Sequence, residues 1–402
     1  MFSIKDTANS KSKEILQKAT HSRGILASIV DEANYKRVWA RDSVICGLAG
    51  LMLEDEQVME GLKQSIYSLG KEQAKHGQIP SNIAFDESGK VLSKSFGGLC
   101  GRVDTVTWWI IGLCNYTKLT GDQSLLTRFE KEVEKGINIL EIWEYNDKGL
   151  VYVPQSGNWA DEYVIRGYTL YDQLLRLWAL RCAAGLYERV DWHQKAEVIT
   201  ELIKKNYWIN EGIKEDLYHE HAYELTLEKE GVSQYWAASF SPGGYFRKFD
   251  LIANGLTFLL DINTKEQSQS ILNYTNDING KLPFNLLPAF WEPIKKGDEE
   301  WYLLEANHKY DFRNIPFDFH NGGIWPCFNG FWGMCLASAN YEKYVKVLEE
   351  GLFQAVQQAD WGFYECINGQ SGETSGTKYC TWSAAGIVLF QQAMEGKRLF
   401  VG

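Results

Sequence analysis

Helical periodicity runs through this chain almost from end to end, and it limits what the chain can fold into more than any single motif does. Apolar residues recurring every three to four positions mark one buried flank of a helix. Such stretches cover Ser12–Ala27, Asp42–Leu53, Asp55–Gln73, Asp104–Leu119, Ser124–Trp143 and Tyr168–Tyr187. They continue over His193–Tyr207, Phe249–Leu260, Glu266–Tyr274, Gly322–Ala339, Tyr341–Gln358 and Tyr379–Glu395. The best strand candidate is Leu150–Pro154, bounded by turn residues on both sides. No linker or composition shift divides the sequence, so residues 1–402 read as a single domain. About twelve helices in one domain form either an open solenoid or a closed toroid of helix pairs, and a solenoid would show a short repeat. None is present. Instead, loops rich in Gly, Trp and polar residues precede Arg41, Asp104, Gly167, Lys248, Gly322 and Tyr379. Six inner helices, each entered by such a loop, predict an all-α fold of the kind an (α/α)6 barrel requires, with a central cleft built from loops.

Charge and composition narrow the function. Lys and Arg number 41 against 52 Asp and Glu, a formal net charge of −11 with no basic block. Nucleic acid is therefore excluded as the main partner, because phosphate binding needs clustered cations. No apolar run approaches the roughly 18 residues of a membrane helix, and MFSIKDTANSKSKEILQKAT does not read as a signal peptide. Export is not expected. All eight cysteines are expected reduced and buried, Cys46, Cys114, Cys182 and Cys335 within apolar helical runs, which fits the cytoplasm. His219 and His221 form the one close histidine pair, but with no third ligand at a suitable spacing they read as exposed loop residues; no metal or organic cofactor is expected.

Aromatic residues are abundant, with 15 Trp, 21 Tyr and 19 Phe, and their positions matter. Five loop–helix junctions set polar groups beside them: Tyr35 to Asp42 with Trp39 and Arg41; Cys100 to Trp109 with Arg102, Asp104 and Trp108; Ser156 to Tyr168 with Trp159, Asp161, Glu162, Tyr163 and Arg166; Phe319 to Pro326 with His320 and Trp325; and Trp361 to Trp382 with Glu365 and Lys378. Carboxylates and amides bind sugar hydroxyls while aromatic faces cover the pyranose ring, and paired carboxyls can cleave a glycosidic bond. Each residue also has a structural reading. Asp42 and Asp104 stand where an acid caps a helix, His320 before Asn-Gly-Gly can order a turn, and Trp108, Trp109, Trp325 and Trp382 can be core. Asp161, flanked by Trp159 and Tyr163, and Glu365, outside any helical pattern, are less easily explained that way.

These junctions, in this order, resemble the alkaline/neutral invertase family of (α/α)6 glycoside hydrolases and, more loosely, amylo-α-1,6-glucosidase-type enzymes. The resemblance runs from about Tyr35 to Phe390. It is carried by Tyr35 with Val38-Trp39-Ala40-Arg41-Asp42, Gly77-Gln78-Ile79-Pro80, Val103-Asp104 with Trp108-Trp109, His320-Asn321-Gly322-Gly323-Ile324-Trp325-Pro326, and Glu365 followed by Thr381-Trp382-Ser383. It implies Asp161 as catalytic acid and Glu365 as catalytic base, with inversion at the anomeric carbon. Substrate contacts are expected from Tyr35, Trp39, Arg41, Asp42, Asp104, Trp108, Trp159, Arg166, His320, Trp325, Lys378 and Trp382. The family continues its acid with Arg-Arg, whereas Glu162 and Tyr163 follow here. That departure makes Glu162 a rival acid and loosens the expectation of sucrose, leaving a small α-glucoside as the substrate class. A small carbohydrate is the expected partner, with neither nucleic acid nor membrane, and with room for a homo-oligomer. The rival readings are a sugar epimerase or isomerase, which works through histidines, and a non-catalytic sugar-binding protein.

Overall fold

The computed structural model describes residues 3–31, 34–212 and 215–402. Its helices are α1 (Ile4–Ala19), α2 (Ala40–Leu53), α3 (Glu56–Lys71), α4 (Asp104–Thr120), α5 (Ser124–Arg128), α6 (Glu130–Ile142), α7 (Leu170–Tyr187) and α8 (Val190–Asn206). After these come α9 (Glu220–Glu230), α10 (Leu251–Leu259), α11 (Lys265–Asn279), α12 (Trp301–Ala306), α13 (Pro326–Ser338), α14 (Lys346–Trp361) and α15 (Thr381–Met394).

Two kinds of helix are distinguished by what they bury. In α2 every residue from Asp42 to Met52 is buried, in α4 from Asp104 to Thr117, and in α13 from Pro326 to Ala337. The same holds for Leu170–Leu180 of α7, Leu251–Phe258 of α10 and Thr381–Gln391 of α15. A helix apolar all round must be surrounded. These six are surrounded by one another: α2 packs on α4, α4 on α7, α7 on α10, α10 on α13, α13 on α15, and α15 returns to α2. The ring is closed. By contrast, α3 buries Val58, Leu62, Ile66 and Leu69, and α11 buries Ile271, Leu272, Thr275 and Ile278, one stripe each. Such striped helices form an outer layer, with α3 against α2 and α4, α8 against α7, α14 against α13, and α1 against α15. Within the ring, α13 and α15 meet backbone to backbone: a Cβ on Gly330 would stand 2.2 Å from the Gly386 carbonyl oxygen.

The six loops singled out by composition are the ones that enter the six ring helices. The all-α expectation needs correction, because short sheets brace those loops. Tyr168–Thr169, Ala237–Ser241, Gly244–Asp250 and Phe290–Trp291 form one antiparallel sheet. Val38–Trp39, Asn82–Phe85 and Val91–Ser95 form another. Three of these strands run straight into α2, α7 and α10. The two-residue strands are too short to carry a period, and the longer ones show no in–out alternation of burial, which is why no period disclosed them. Leu150–Pro154, expected as a strand, is extended chain with a single bridge in which Val153 and Gly167 exchange backbone hydrogen bonds of 2.7 and 2.8 Å.

Several helix boundaries also differ, among them α11, which runs on to Asn279, and α14, which starts at Lys346. The first helix begins earlier and ends at Ala19, because Ser3 and Asp6 form a capping box and Gly24, at φ +136°, turns a small hairpin. Ser124–Trp143 is broken at Phe129. Of the His pair expected in a loop, His219 stands in the turn before α9, where its Nδ1 accepts from the Ala222 N–H and caps the helix, whereas His221 lies within α9, which no pattern indicated. The eight cysteines are free thiols, seven of them buried, and Cys100 is partly accessible.

Candidate active site

The loops at the N-termini of the ring helices bring most of the singled-out residues together. At the start of α2, Arg41 Nη1 donates to Asp104 Oδ2 at 2.7 Å, joining α2 to α4. The same oxygen accepts from the Tyr171 hydroxyl at 3.2 Å, which in turn accepts from Trp108 Nε1 at 2.8 Å. Asp104 is wholly buried, and its Oδ1 has no protein partner. Burial opposes the Arg41 charge, but Asp104, Asp42 and Tyr171 outweigh it and hold the guanidinium protonated. Asp42 is pushed up from the ordinary carboxylate range by burial, with Arg41 opposing.

Glu365 lies in the loop that leads into α15. The Tyr35 hydroxyl donates to its Oε1 at 2.5 Å, while Oε2 is buried without a partner. Burial raises the Glu365 pKa; Tyr35, the Arg313 charge and the Thr377 N–H pull it back. Tyr35 itself is pushed well above the usual phenol range by burial and by the Glu365 charge, so it remains a donor. Gly376 backs this carboxylate: with φ at +76°, a Cβ there would meet Glu365 Oε2 at 2.6 Å.

Asp161 and Glu162 are adjacent in sequence and opposite in environment. Asp161 Oδ2 is paired with Arg102 Nη2, and 37% of its side chain is accessible. Glu162 is buried, its Oε2 has no hydrogen bond, and Arg313 Nη2 stands 3.9 Å away. Its pKa is raised by burial and by the Asp161 charge, against the pull of Arg313. Trp159 and Tyr163, which flank Asp161 in the sequence, both stack on Phe290, with ring centroids at 5.4 and 4.4 Å. Of the two carboxyls, burial falls on Glu162.

His320 ties these parts together. It is buried, stacked parallel to Trp325 at 5.5 Å, and held neutral by burial and by Arg313, Arg41 and Arg102. Trp382 closes this wall with Arg41 5.7 Å above its ring. Trp382 Nε1 and Trp159 Nε1 are buried donors without partners. Trp39 is half-buried, its indole N–H given to Asn34 O at 3.1 Å. Two expected contacts are placed elsewhere. Trp108, expected as an apolar wall, is fully buried inside the ring, edge-on to Trp178 and Phe331, and reaches the site only through Tyr171. Arg166 is exposed and bonded to Gln155, because Gly167 at φ +88° and its bridge to Val153 turn the chain there. Lys378 is half-buried, with its amine 4.8 Å over the Tyr379 ring.

Four further groups belong to the site. Asp172 accepts from Thr169 Oγ1 at 2.6 Å and Asn158 Nδ2 at 3.0 Å, and burial with the Asp104 charge raises its pKa. Asp250 caps α10 and is pushed up to about 7 by burial. Arg102 and Arg313 supply the cations. An acid in the first turn of each of α2, α4 and α7, and one capping α10, is a signal that reading all six entrances together could have found. Arg313 lies in a loop with no period, and nothing local marks it. Among the described residues, no group of three His, Cys, Asp or Glu side chains is placed to hold a metal ion.

Comparison with known proteins gives the family and the fold. The family model described as "Alkaline and neutral invertase" matches residues 12–396. This chain belongs to the alkaline and neutral invertase family. Relatives include the probable alkaline/neutral invertase A, chloroplastic, of Arabidopsis thaliana, 24% identical over 91% of this chain and 65% of the relative. Cytosolic invertase 1 of Oryza sativa subsp. japonica is 24% identical over 90% and 72%. The chain thus spans about two thirds of the length of such family members. Among solved structures, the GH63 mannosylglycerate hydrolase from Thermus thermophilus superposes with a TM-score of 0.65 at 11% identity, over 96% of this chain and all of that one. A bacterial glucoamylase complexed with acarbose gives 0.65 at 17% identity, over 98% and 56%. At those identities the likeness is one of fold. Within the family's plan, the invertase-like entrance motifs coincide with the N-termini of the ring helices.

Proposed function

We propose that this chain is an inverting glycoside hydrolase on an (α/α)6 barrel, acting on small α-glucosides, with sucrose among the candidates. Asp161 is the general acid and Glu365 the general base. The observation that carries the assignment is the contrast in access among three carboxyls. A general acid must reach the glycosidic oxygen on the side where the aglycone departs, and Asp161 is 37% accessible while Glu162 is 7%. A buried general base needs contact only with a water, and Glu365 has one oxygen anchored by Tyr35 and one unpartnered.

Asp161 gives its proton to the glycosidic oxygen as the bond to the anomeric carbon breaks. Glu365 takes a proton from the water that attacks that carbon from the other face, so the product has the opposite anomeric configuration. Arg102 stabilises the Asp161 carboxylate as the proton leaves. The raised Glu365 pKa makes it a stronger base once ionised. Asp42, Arg41 and the spare oxygen of Asp104 bind hydroxyls of the glucosyl unit, and Trp159, Trp325 and Trp382 form the apolar wall. An epimerase would need a histidine that exchanges protons with the cleft, whereas His320 is buried, neutral and locked against Trp325. The free thiols fit a reducing compartment such as the cytoplasm.

The test is a panel of α-glucosides followed by proton NMR in early turnover. Inverted product anomer is expected, and Asp161→Asn and Glu365→Gln should each lower kcat by about a hundredfold or more. Retention of configuration, or near wild-type turnover of either variant, would overturn the assignment; in the second case Glu162→Gln is the next variant.

A further inference from the structure

Beside the acid loop runs an arch, Asn307 to Asn314, whose sequence is Asn-His-Lys-Tyr-Asp-Phe-Arg-Asn. It is clipped to that loop at both ends. Asn307 Nδ2 donates to the Tyr163 carbonyl at 2.9 Å and to the Asp161 carbonyl at 3.4 Å, and its Oδ1 accepts from Ser156 Oγ at 2.8 Å. Asn314 Nδ2 donates to the Glu162 carbonyl at 2.7 Å, and its Oδ1 accepts from the His320 N–H at 3.0 Å. The arch is therefore fixed next to Asp161, and the side chain that protonates the leaving oxygen defines where the leaving group sits.

The arch carries His308, Lys309 and Arg313 against one carboxylate, Asp311. Lys309 is exposed, its amine beside the Gly98 turn. Arg313 is the notable member. Its guanidinium lies 3.7 Å from the Phe319 ring centroid, its side chain is 41% accessible, and the Glu162 oxygen facing it is 3.9 Å away, beyond hydrogen-bond distance. Arg102 is engaged by the Cys100 and Ser156 carbonyls and by Asp161, and Arg41 is tied to Asp104 through Nη1, with its Nε buried and unpartnered. Among the described residues Arg313 makes no hydrogen bond, so its donors are available to a ligand. A guanidinium held on an aromatic face, with its fork open, suits a carboxylate or a phosphate.

We propose that the leaving-group half of the substrate carries such an oxyanion and that Arg313 binds it. This rests on the hydrolytic reading above and names the substrate class of that site: α-glucosides with an acidic aglycone. With a net charge of −11, the protein repels anions at a distance, so the selectivity comes from contact rather than long-range steering.

Matched pairs test it. The carboxylate pair is α-glucosyl glycerate against α-glucosyl glycerol, and the phosphate pair is sucrose 6′-phosphate against sucrose. Wild type should prefer the charged member of one pair by about ten- to a hundredfold in kcat/KM, the range of a charge-assisted hydrogen bond, and the pair that responds identifies the oxyanion. Arg313→Gln should collapse that preference through KM, and Arg313→Lys should restore part of it. Equal rates on both members of both pairs, or an Arg313→Gln variant that loses charged and neutral substrates in the same proportion, would overturn the proposal. The latter result would mark Arg313 as acting on Glu365 instead. Calorimetric titration of the same four compounds into the Glu365→Gln variant separates the two readings. Charge-selective binding lost on adding Arg313→Gln, with no hydrolysis by wild type, keeps the anion site and rejects the hydrolase. Binding blind to charge rejects the anion site alone.

Discussion

Replacing Tyr35 with phenylalanine removes one hydroxyl and should move one limb of the pH–rate profile. In the wild type, burial raises Glu365 while three groups favour its anion: the Tyr35 hydroxyl, the Arg313 charge and the Thr377 N–H. Tyr35 is the strongest of the three and acts through a direct bond to Oε1. A hydrogen bond to a charged group contributes about 1.5–3 kcal/mol, which at 1.36 kcal/mol per pH unit corresponds to about 1–2 units. Tyr35 is half-buried, so solvent replaces part of the loss and the lower end applies. The sign follows from the role: the base must be ionised, losing a donor to the anion raises its pKa, and activity then appears only at higher pH. The acid limb of kcat/KM should therefore shift upward by about one unit in Tyr35→Phe. The measurement is kcat/KM across the pH range on the best α-glucoside, with circular dichroism to confirm folding. An acid limb unmoved within about 0.3 unit, in a folded and active variant, would show that Glu365 is not the group titrating there or that Tyr35 does not hold it.

Other changes probe the same architecture. Gly376→Ala places a methyl 2.6 Å from Glu365 Oε2 at φ +76°, so kcat should fall at least about tenfold while stability falls by only about 1 kcal/mol; steady-state kinetics and a thermal melt check both. Asp104→Asn removes the carboxylate bonded to the buried Arg41 guanidinium, leaving Asp42 as its remaining counter-charge, and should cost about 3 kcal/mol in a denaturant titration. It should also lower kcat/KM for glucosides without changing the preferred leaving group. Asp250→Asn keeps a side chain able to cap α10 but removes a titrating group whose folded pKa, about 7, stands above its unfolded value of 3.8. Protonated Asp250 favours the fold, so that contribution is complete below about pH 4 and is lost as pH rises through 7. Melting temperatures at pH 5 and pH 8 should therefore differ less in the variant than in the wild type.

The helices and the residues at their entrances were legible in the sequence because each depends on neighbours within a turn or two. Apolar spacing disclosed all six ring helices, and Gly, Trp and polar clusters marked the loops ahead of them. Arg41, Asp42, Asp104, Asp161, His320 and Glu365 stand out because each falls in a segment that sets charged or polar groups close to aromatic residues at a helix entrance, although Asp42 and Asp104 also suit a helix N-terminus. The strands bracing those loops escaped because they are either two residues long or do not alternate between buried and exposed positions, and α9 escaped because its apolar face is slight.

Tertiary structure decided what each of these residues experiences. Asp161 and Glu162 are neighbours in sequence, yet Arg102 pairs with one, from 59 positions away, and Arg313 approaches the other across 151. Trp108 and Trp382 look alike in their motifs, but the ring closes over the first, while the second keeps an unpartnered indole N–H beneath Arg41. Helix formation is governed by contacts between residues close in the chain, which sequence displays directly. Access and charge at a carboxyl are set by groups that only the closing of the ring brings within a few ångströms, and no local pattern encodes that.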